Sequence, residues 1–226
     1  MKKLAFLIVA AVVPMLNAAP VLQLSWDIDG KNATTTNPLA ATVNGPNVSA
    51  GSITLGSGVP AANVPNAFRG SPFDQLSLAT AISTNDYLSL SVTNSGTLSF
   101  ERLDFRLATG TGGTLNWNLM SSKTGFTTAD SLYSGSNNSS TATQFFQVDL
   151  TGVALLQNTS SATEFRIYAY RAAAGNSQFG YQSDGTSAID VAVYAIPEPS
   201  SIILLMGFGV VGSLVLRTRV RENSGA

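Results

Sequence analysis

An all-β fold, built as an antiparallel sandwich, is what this sequence predicts, and three observations predict it. Apolar and polar residues alternate with period two in run after run. Breaks rich in Gly, Ser, Thr and Asn separate the runs. Helical periodicity is scarce. Short alternating segments bounded by turn residues read as half-buried strands, with one face of each sheet packed inward and the other solvated.

Taken in order, the first run sets Leu22, Leu24, Trp26 and Ile28 against Gln23, Ser25, Asp27 and Asp29. Residues 33–67 are rich in Thr, Asn, Gly and Pro and poor in large apolar side chains, so they read as loops and weak edge strands. Leu76–Ile82 reads as one short helix with Asp74 as its N-cap. Strands then follow on Leu88, Leu90 and Val92, and on Leu103, Phe105 and Leu107. After the break Thr109-Gly110-Thr111-Gly112-Gly113 comes a strand on Leu115, Trp117 and Leu119. After the break from Ser134 to Ser140 comes one on Phe146, Val148 and Leu150. A short turn at Leu155-Leu156 precedes Phe165, Ile167 and Ala169, and the last run is Ile189, Val191 and Val193. No repeat of fixed period is present, which excludes a solenoid or propeller.

The two ends follow other rules. Lys2 and Lys3, the apolar stretch Leu4–Val13, Pro14 and the small residues Ala18 and Ala19 have the layout of a secretory signal peptide, with cleavage expected after Ala18. Near the other end, Ser200–Leu216 is 17 residues of mostly apolar character. At about 1.5 Å per residue it spans roughly 25 Å, just enough for a thin hydrocarbon core. Arg217, Arg219 and Arg221 follow as a cytoplasmic stop by the positive-inside rule. The expected organisation is a signal peptide at 1–18, an extracellular sandwich at 19–195, and a C-terminal segment at 196–221 containing a single transmembrane helix at 201–216.

Composition removes several function classes. Between the two ends lie seven basic and twelve acidic residues, a net charge of −5. An acidic surface repels phosphate backbones, so nucleic acid is not an expected partner. The chain has no Cys and no His. It therefore has no disulfide, no Ser-His-Asp triad, no Cys nucleophile, and no zinc or copper site built on those ligands.

The remaining candidates are few. Asp27-Ile28-Asp29-Gly30 resembles the opening of a calcium loop, but its glycine comes too early and the twelfth position is Pro38. A strand end entering a turn is the preferred reading. A structural Ca²⁺ held by Asp residues of separate strands is kept as an alternative to no cofactor at all. Glu101 and Glu164 are the two glutamates of the body, each close to an arginine, and read as solvated strand charges rather than an acid pair for glycoside hydrolysis. Tyr168, Tyr170 and Tyr181 are candidate glycan contacts, because Tyr168 and Tyr170 share the strand face opposite Phe165 and Ile167. Cross-strand packing is the plainer explanation for them. Sequons at Asn32, Asn47, Asn137, Asn138 and Asn158 read as exposed Asn/Ser/Thr turns.

Pro197-Glu198-Pro199-Ser200, the apolar run Ile202–Leu216 and the arginines Arg217, Arg219 and Arg221 together resemble the PEP-CTERM sorting signal of Gram-negative bacteria. The resemblance implies that an exosortase-type membrane protease recognises and cuts the tail. It implies passage through the inner membrane with transient anchorage there, and release to the cell surface or extracellular matrix. Pro197, Glu198 and Pro199 are then processing residues. The family often accompanies exopolysaccharide and biofilm loci. The body, notably Thr163–Tyr170 and Ile189–Val191, resembles the jelly-roll-like β domains found with this signal. The expected function is a secreted, structural or exopolysaccharide-associated surface protein without catalysis. A lectin-like carbohydrate-binding module is the alternative, and a glycan-acting enzyme comes third.

Overall fold

Alternation becomes a two-layer sandwich in the computed structural model, which describes residues 19–110, 114–137, 143–171, 173, 175 and 177–197. Among the described residues the strands are β1 (Val21–Trp26), β2 (Leu39–Ala40), β3 (Thr42–Val43), β4 (Val48–Leu55), β5 (Ala67–Gly70), β6 (Tyr87–Asn94), β7 (Leu98–Thr109), β8 (Leu115–Ser121), β9 (Tyr133–Asn137), β10 (Gln144–Asp149), β11 (Thr163–Arg171), β12 (Phe179–Gln182) and β13 (Val191–Pro197). One sheet has the order β3-β1-β13-β7-β12-β5, with β10 on the other edge of β7. The second has the order β2-β4-β6-β11-β8-β9. Every strand pairing is antiparallel.

The apolar phase of each run points between the sheets. Leu24, Trp26, Leu103, Phe105, Leu107, Val191 and Val193 face Leu88, Leu90, Val92, Leu115, Trp117, Leu119, Phe165 and Ile167 in one buried core. Aromatic rings meet edge to face across it: Phe100 with Phe165 at 5.4 Å, and Phe105 with Trp117 at 5.7 Å between centroids. Trp117 also donates from Nε1 to Asn137 Oδ1 at 2.9 Å, while Asn137 Nδ2 donates to the Leu107 carbonyl at 3.1 Å. Asn137 is buried by these bonds, which corrects its reading as an exposed turn. A Cβ on Gly135 would fall 2.4 Å from Trp117, so only glycine lets β9 lie over the indole.

Two expectations for the first half change. Residues 33–67 do hold short edge strands, but β4 is an eight-residue inner strand. Its sequence, VSAGSITL, alternates only over Ser52–Leu55, because the inward position before Ile53 is Gly51, packed on Leu24 and Trp26, and its outer side is built from hydroxyls. Ser52 meets Ser91 at 2.9 Å and Thr54 meets Ser89 at 2.6 Å. Among the described residues the one helix longer than one turn, α2 (Leu78–Thr84), begins two residues later than expected. Its N-cap is Ser77, not Asp74: Ser77 and Thr80 form a reciprocal capping box, and Asn85 ends the helix in the left-handed region. A one-turn helix, α1, covers Ala33–Thr36, and a 3-10 turn at Ala154–Leu156 sits where a turn was expected.

The expected signal peptide, Glu198, Pro199 and the transmembrane helix at 201–216 with Arg217, Arg219 and Arg221 lie outside the described residues. Among the described residues no helix is long and apolar enough to cross a membrane.

Candidate functional site

The tyrosines singled out from the sequence do not form an exposed platform. Tyr168 and Tyr181 are each 1% exposed. Tyr181 belongs to β12 and points into the main core, 6.5 Å from the Phe105 ring, where burial pushes its phenol pKa up. Tyr168 does occupy the outer phase of β11, as its spacing requires, but α2 lies over that face. Ala81, Met120 and Tyr168 make a second small core, with Leu78, Ile82, Tyr87, Phe126 and the half-buried Tyr170 packed around it.

Arg166 organises this outer face. It makes a two-pronged bond to Glu164, 2.9 Å on each side, and Nη1 donates to Tyr168 Oη at 3.2 Å. Its guanidinium lies 4.3 Å from the Tyr87 ring centre and 4.0 Å from that of Phe126. Burial opposes its charge, but the bonds to Glu164 and Tyr168 outweigh burial and hold its pKa above the usual value. Glu164 is thereby a structural partner. Glu101 stands on β7 in the other sheet, its pKa raised by burial and by Asp149 nearby. The two glutamates share no cleft, in keeping with their reading as strand charges.

Asp27 and Asp29 form a local turn: Asp27 Oδ1 accepts from the Asp29 amide at 2.9 Å, and Gly30 follows at φ +68°. Among the described residues no group of three or more His, Cys, Asp or Glu side chains is placed to hold a metal.

A cleft that the sequence did not announce lies on the outer face of the first sheet. Strand register assembles it. Arg106 on β7 sits opposite Phe145 on β10, and Asp104 on β7 sits opposite Ala192 on β13. These residues, with Tyr194 on β13 and Ser187, Ile189 and Asp190 on the approach to β13, line a groove of about 230 Å³. Phe145 is 51% exposed and Ile189 36%.

The arginines in and beside the groove are paired. Arg106 Nη2 lies 2.9 Å from Asp184 Oδ2, Nη1 donates to the Ile189 carbonyl at 3.0 Å, and the guanidinium stands 5.0 Å from the Phe145 ring centre. Arg102 lies over the Tyr194 ring at 4.2 Å. Its Nε is 2.8 Å from Asp104 Oδ1, an ion-pair distance whose angle does not make a hydrogen bond. Asp190 is buried; its Oδ2 accepts from the Ile28 amide at 2.9 Å, and its Oδ1 accepts nothing among the described residues. Burial raises its pKa against the lowering effects of the Ile28 bond and Arg106.

The sorting tail begins inside the sheet. β13 continues through Ile196 and Pro197, paired with Ser99 and Leu98 of β7. β13 therefore runs past the expected boundary at 195, and the first proline of the tail is a strand residue.

Comparison with known proteins bears on the tail. No curated protein matches. A solved CBM4 structure is similar over 73% of this chain and 99% of its own, at 11% identity and a TM-score of 0.38. The family 11 carbohydrate-binding module from Clostridium thermocellum, in complex with a beta-1,3-1,4-mixed-linked tetrasaccharide, is similar over 78% of this chain and 96% of its own, at 10% identity and a TM-score of 0.36. Likenesses this distant bear on neither the ligand nor the site of this chain, whose sandwich stands on its own strand pairing. Residues 195–220 match the PEP-CTERM protein-sorting motif, and the chain is thereby a carrier of that signal, an exported protein whose tail implies processing by an exosortase-type protease.

Proposed function

We propose that this is a surface or extracellular-matrix protein with a structural role and no catalysis of its own, passed through the inner membrane and released when its tail is cut. The sorting motif at residues 195–220 is the observation that carries this reading. The body supports it. Its glutamates Glu101 and Glu164 stand on opposite sheets, the Arg166–Glu164 fork locks a sheet face, and the chain has no His or Cys. Replacing Pro197, Glu198 and Pro199 by alanine together tests it in the native host. The variant should stay with the membrane fraction as a longer chain while the wild type reaches the surface. Equal surface delivery of the variant would overturn the reading.

A second reading, a carbohydrate-binding module that holds exopolysaccharide, is favoured by the open groove beside Phe145 and Tyr194. A structural Ca²⁺ would belong to this reading, and binding measured with and without calcium separates a metal-dependent from a metal-free module.

A further inference from the structure

One edge of the first sheet stays open, and its register fits itself. We infer that β10 is an assembly edge: two copies of this chain join by antiparallel pairing of β10 with β10, about a twofold axis at Gln147, into one continuous sheet. The inference goes beyond the structural role proposed above, and its test does not depend on where the tail is cut.

A sheet edge presents unpaired N–H and C=O groups, and folded proteins blunt such edges with very short strands, Pro, Lys, bulges or a covering segment. The other edges are blunted. β2 and β3 have two residues each. β5 is buried throughout and flanked by bridges from Asn32 to Ala67 and from Ala61 to Gly70. β9 carries Gly135, and Asn137 at its end is tied to the Leu107 carbonyl of the other sheet. β10 has none of these devices. Its six residues, QFFQVD, pair with β7 in unbroken register from Gln144 opposite Leu107 to Asp149 opposite Arg102. No Pro, Gly or Lys stands in it, and among the described residues no strand or bridge lies on its other side.

The bond just past the strand shows which groups face outward. The Leu150 amide donates to the Glu101 carbonyl at 2.8 Å, in the same register as β10 with β7. Residues of an antiparallel strand turn their backbone groups toward a given partner alternately. Val148, Phe146 and Gln144 therefore point to β7 as Leu150 does, and the N–H and C=O groups of Phe145, Gln147 and Asp149 point to the open side. The same three residues are the exposed ones of the strand.

A second β10 meets these groups with the same three. In the twofold register Phe145 lies opposite Asp149 and Gln147 opposite Gln147, and each pair exchanges two N–H···O bonds, about six in all. A register shifted by two residues loses one of the pairs. The side chains agree with this alignment. Phe146, half-buried against the core, falls opposite the buried Val148, so the apolar layer continues across the junction. On the outer side the rows read Arg106–Phe145–Asp149–Arg102 and Asp104–Gln147–Gln147–Asp104 from one copy to the other. No like charges stand opposite each other at the junction. Gln147 Nε2 donates to Asp104 Oδ2 at 3.4 Å, which leaves its carbonyl and second amide hydrogen for the Gln147 of the second copy. The edge is only about 20 Å long, so pairing follows mass action and fills where copies are crowded, as on a surface or in a matrix.

The chain has no Cys, so a single thiol reads the register. Gln147→Cys sets two thiols across a pair whose Cα atoms are about 5.5 Å apart, within the disulfide range of about 4.4–6.8 Å. Under mild oxidation of the protein purified from its native host, this variant should become a covalent dimer, while Thr42→Cys, on the exposed edge strand β3, stays largely monomeric. Sedimentation of the wild type should show monomer passing to dimer as concentration rises. Gln147→Pro should hold it monomeric, and because that N–H points away from β7 the proline removes no bond within the chain. Phe145→Glu leaves the backbone alone and sets a carboxylate opposite Asp149. It should weaken the dimer about tenfold, since the twofold axis applies the repulsion twice. A dimer that withstands both substitutions, a wild type that stays monomeric at every concentration, or Gln147→Cys chains that cross-link no faster than Thr42→Cys chains would each overturn the inference.

Discussion

Arg166 and Asp190 show two opposite solutions for a charge at a sheet surface. Arg166 is fully answered, by a carboxylate fork, a phenol and two rings, so its charge is retained despite partial burial. Asp190 is half answered, by one backbone amide, and burial raises its pKa. The sign of the consequence follows from linkage. A carboxyl group whose folded pKa is raised binds its proton more tightly in the folded state, so folding loses stability as pH rises from the unfolded value of 3.8 through the folded value. Asp190→Asn removes that titration. The melting temperature of the variant minus that of the wild type should therefore be flat at the most acidic pH, climb as pH rises above 3.8, and level off once pH passes the raised folded value. Thermal scans from pH 3 to 7 check it, and a difference that falls with pH contradicts it. Neither role was legible from residue type. Spacing placed Tyr168 and Arg166 correctly on the outer phase of β11, but periodicity states which face a side chain takes and not what covers that face.

At the scale of elements, most strands that pack large apolar side chains on one side were readable, but β9 and β12 were not, and neither was β4. Its outer phase is Ser and Thr paired with hydroxyls of β6, a pattern that looks like a loop when the partner strand is unknown. Gly51 adds to the disguise: a Cβ there would meet the Ser91 carbonyl at 2.9 Å and Leu24 at 2.5 Å, so the glycine marks close approach rather than a turn. Helix α2 was found but capped wrongly, because Asp74 and Ser77 both precede it and only the reciprocal bond with Thr80 decides between them. Ser77→Ala removes that cap. It should cost about 1 kcal/mol, read as a fall of roughly 2–4 °C in melting temperature. No change in stability would mean that packing on Tyr168 and Met120 alone holds the helix.

The molecule as a whole is a sandwich with two unlike outer faces and a tail that starts at its rim. One outer face is closed by α2; the other is open and carries the groove. The groove was invisible in the sequence because its residues come from β7, β10, β13 and the stretch before β13, some forty to ninety positions apart, and meet only through antiparallel register. The sorting signal was visible because it is contiguous: its order of Pro-Glu-Pro, apolar run and arginines needs no folding to be recognised. What the fold adds is that Pro197 is already a sheet residue, paired with Leu98. A protease acts on extended, accessible chain, so the proposed cut is expected on the C-terminal side of Pro197, leaving β13 whole. Intact-mass and C-terminal peptide mass spectrometry of the protein from the surface of its native host tests this most directly. A mature chain ending near Pro199, with Pro197 retained and Arg217, Arg219 and Arg221 gone, is the predicted result; surface protein that still carries Arg221, or that ends before Pro197, would contradict it.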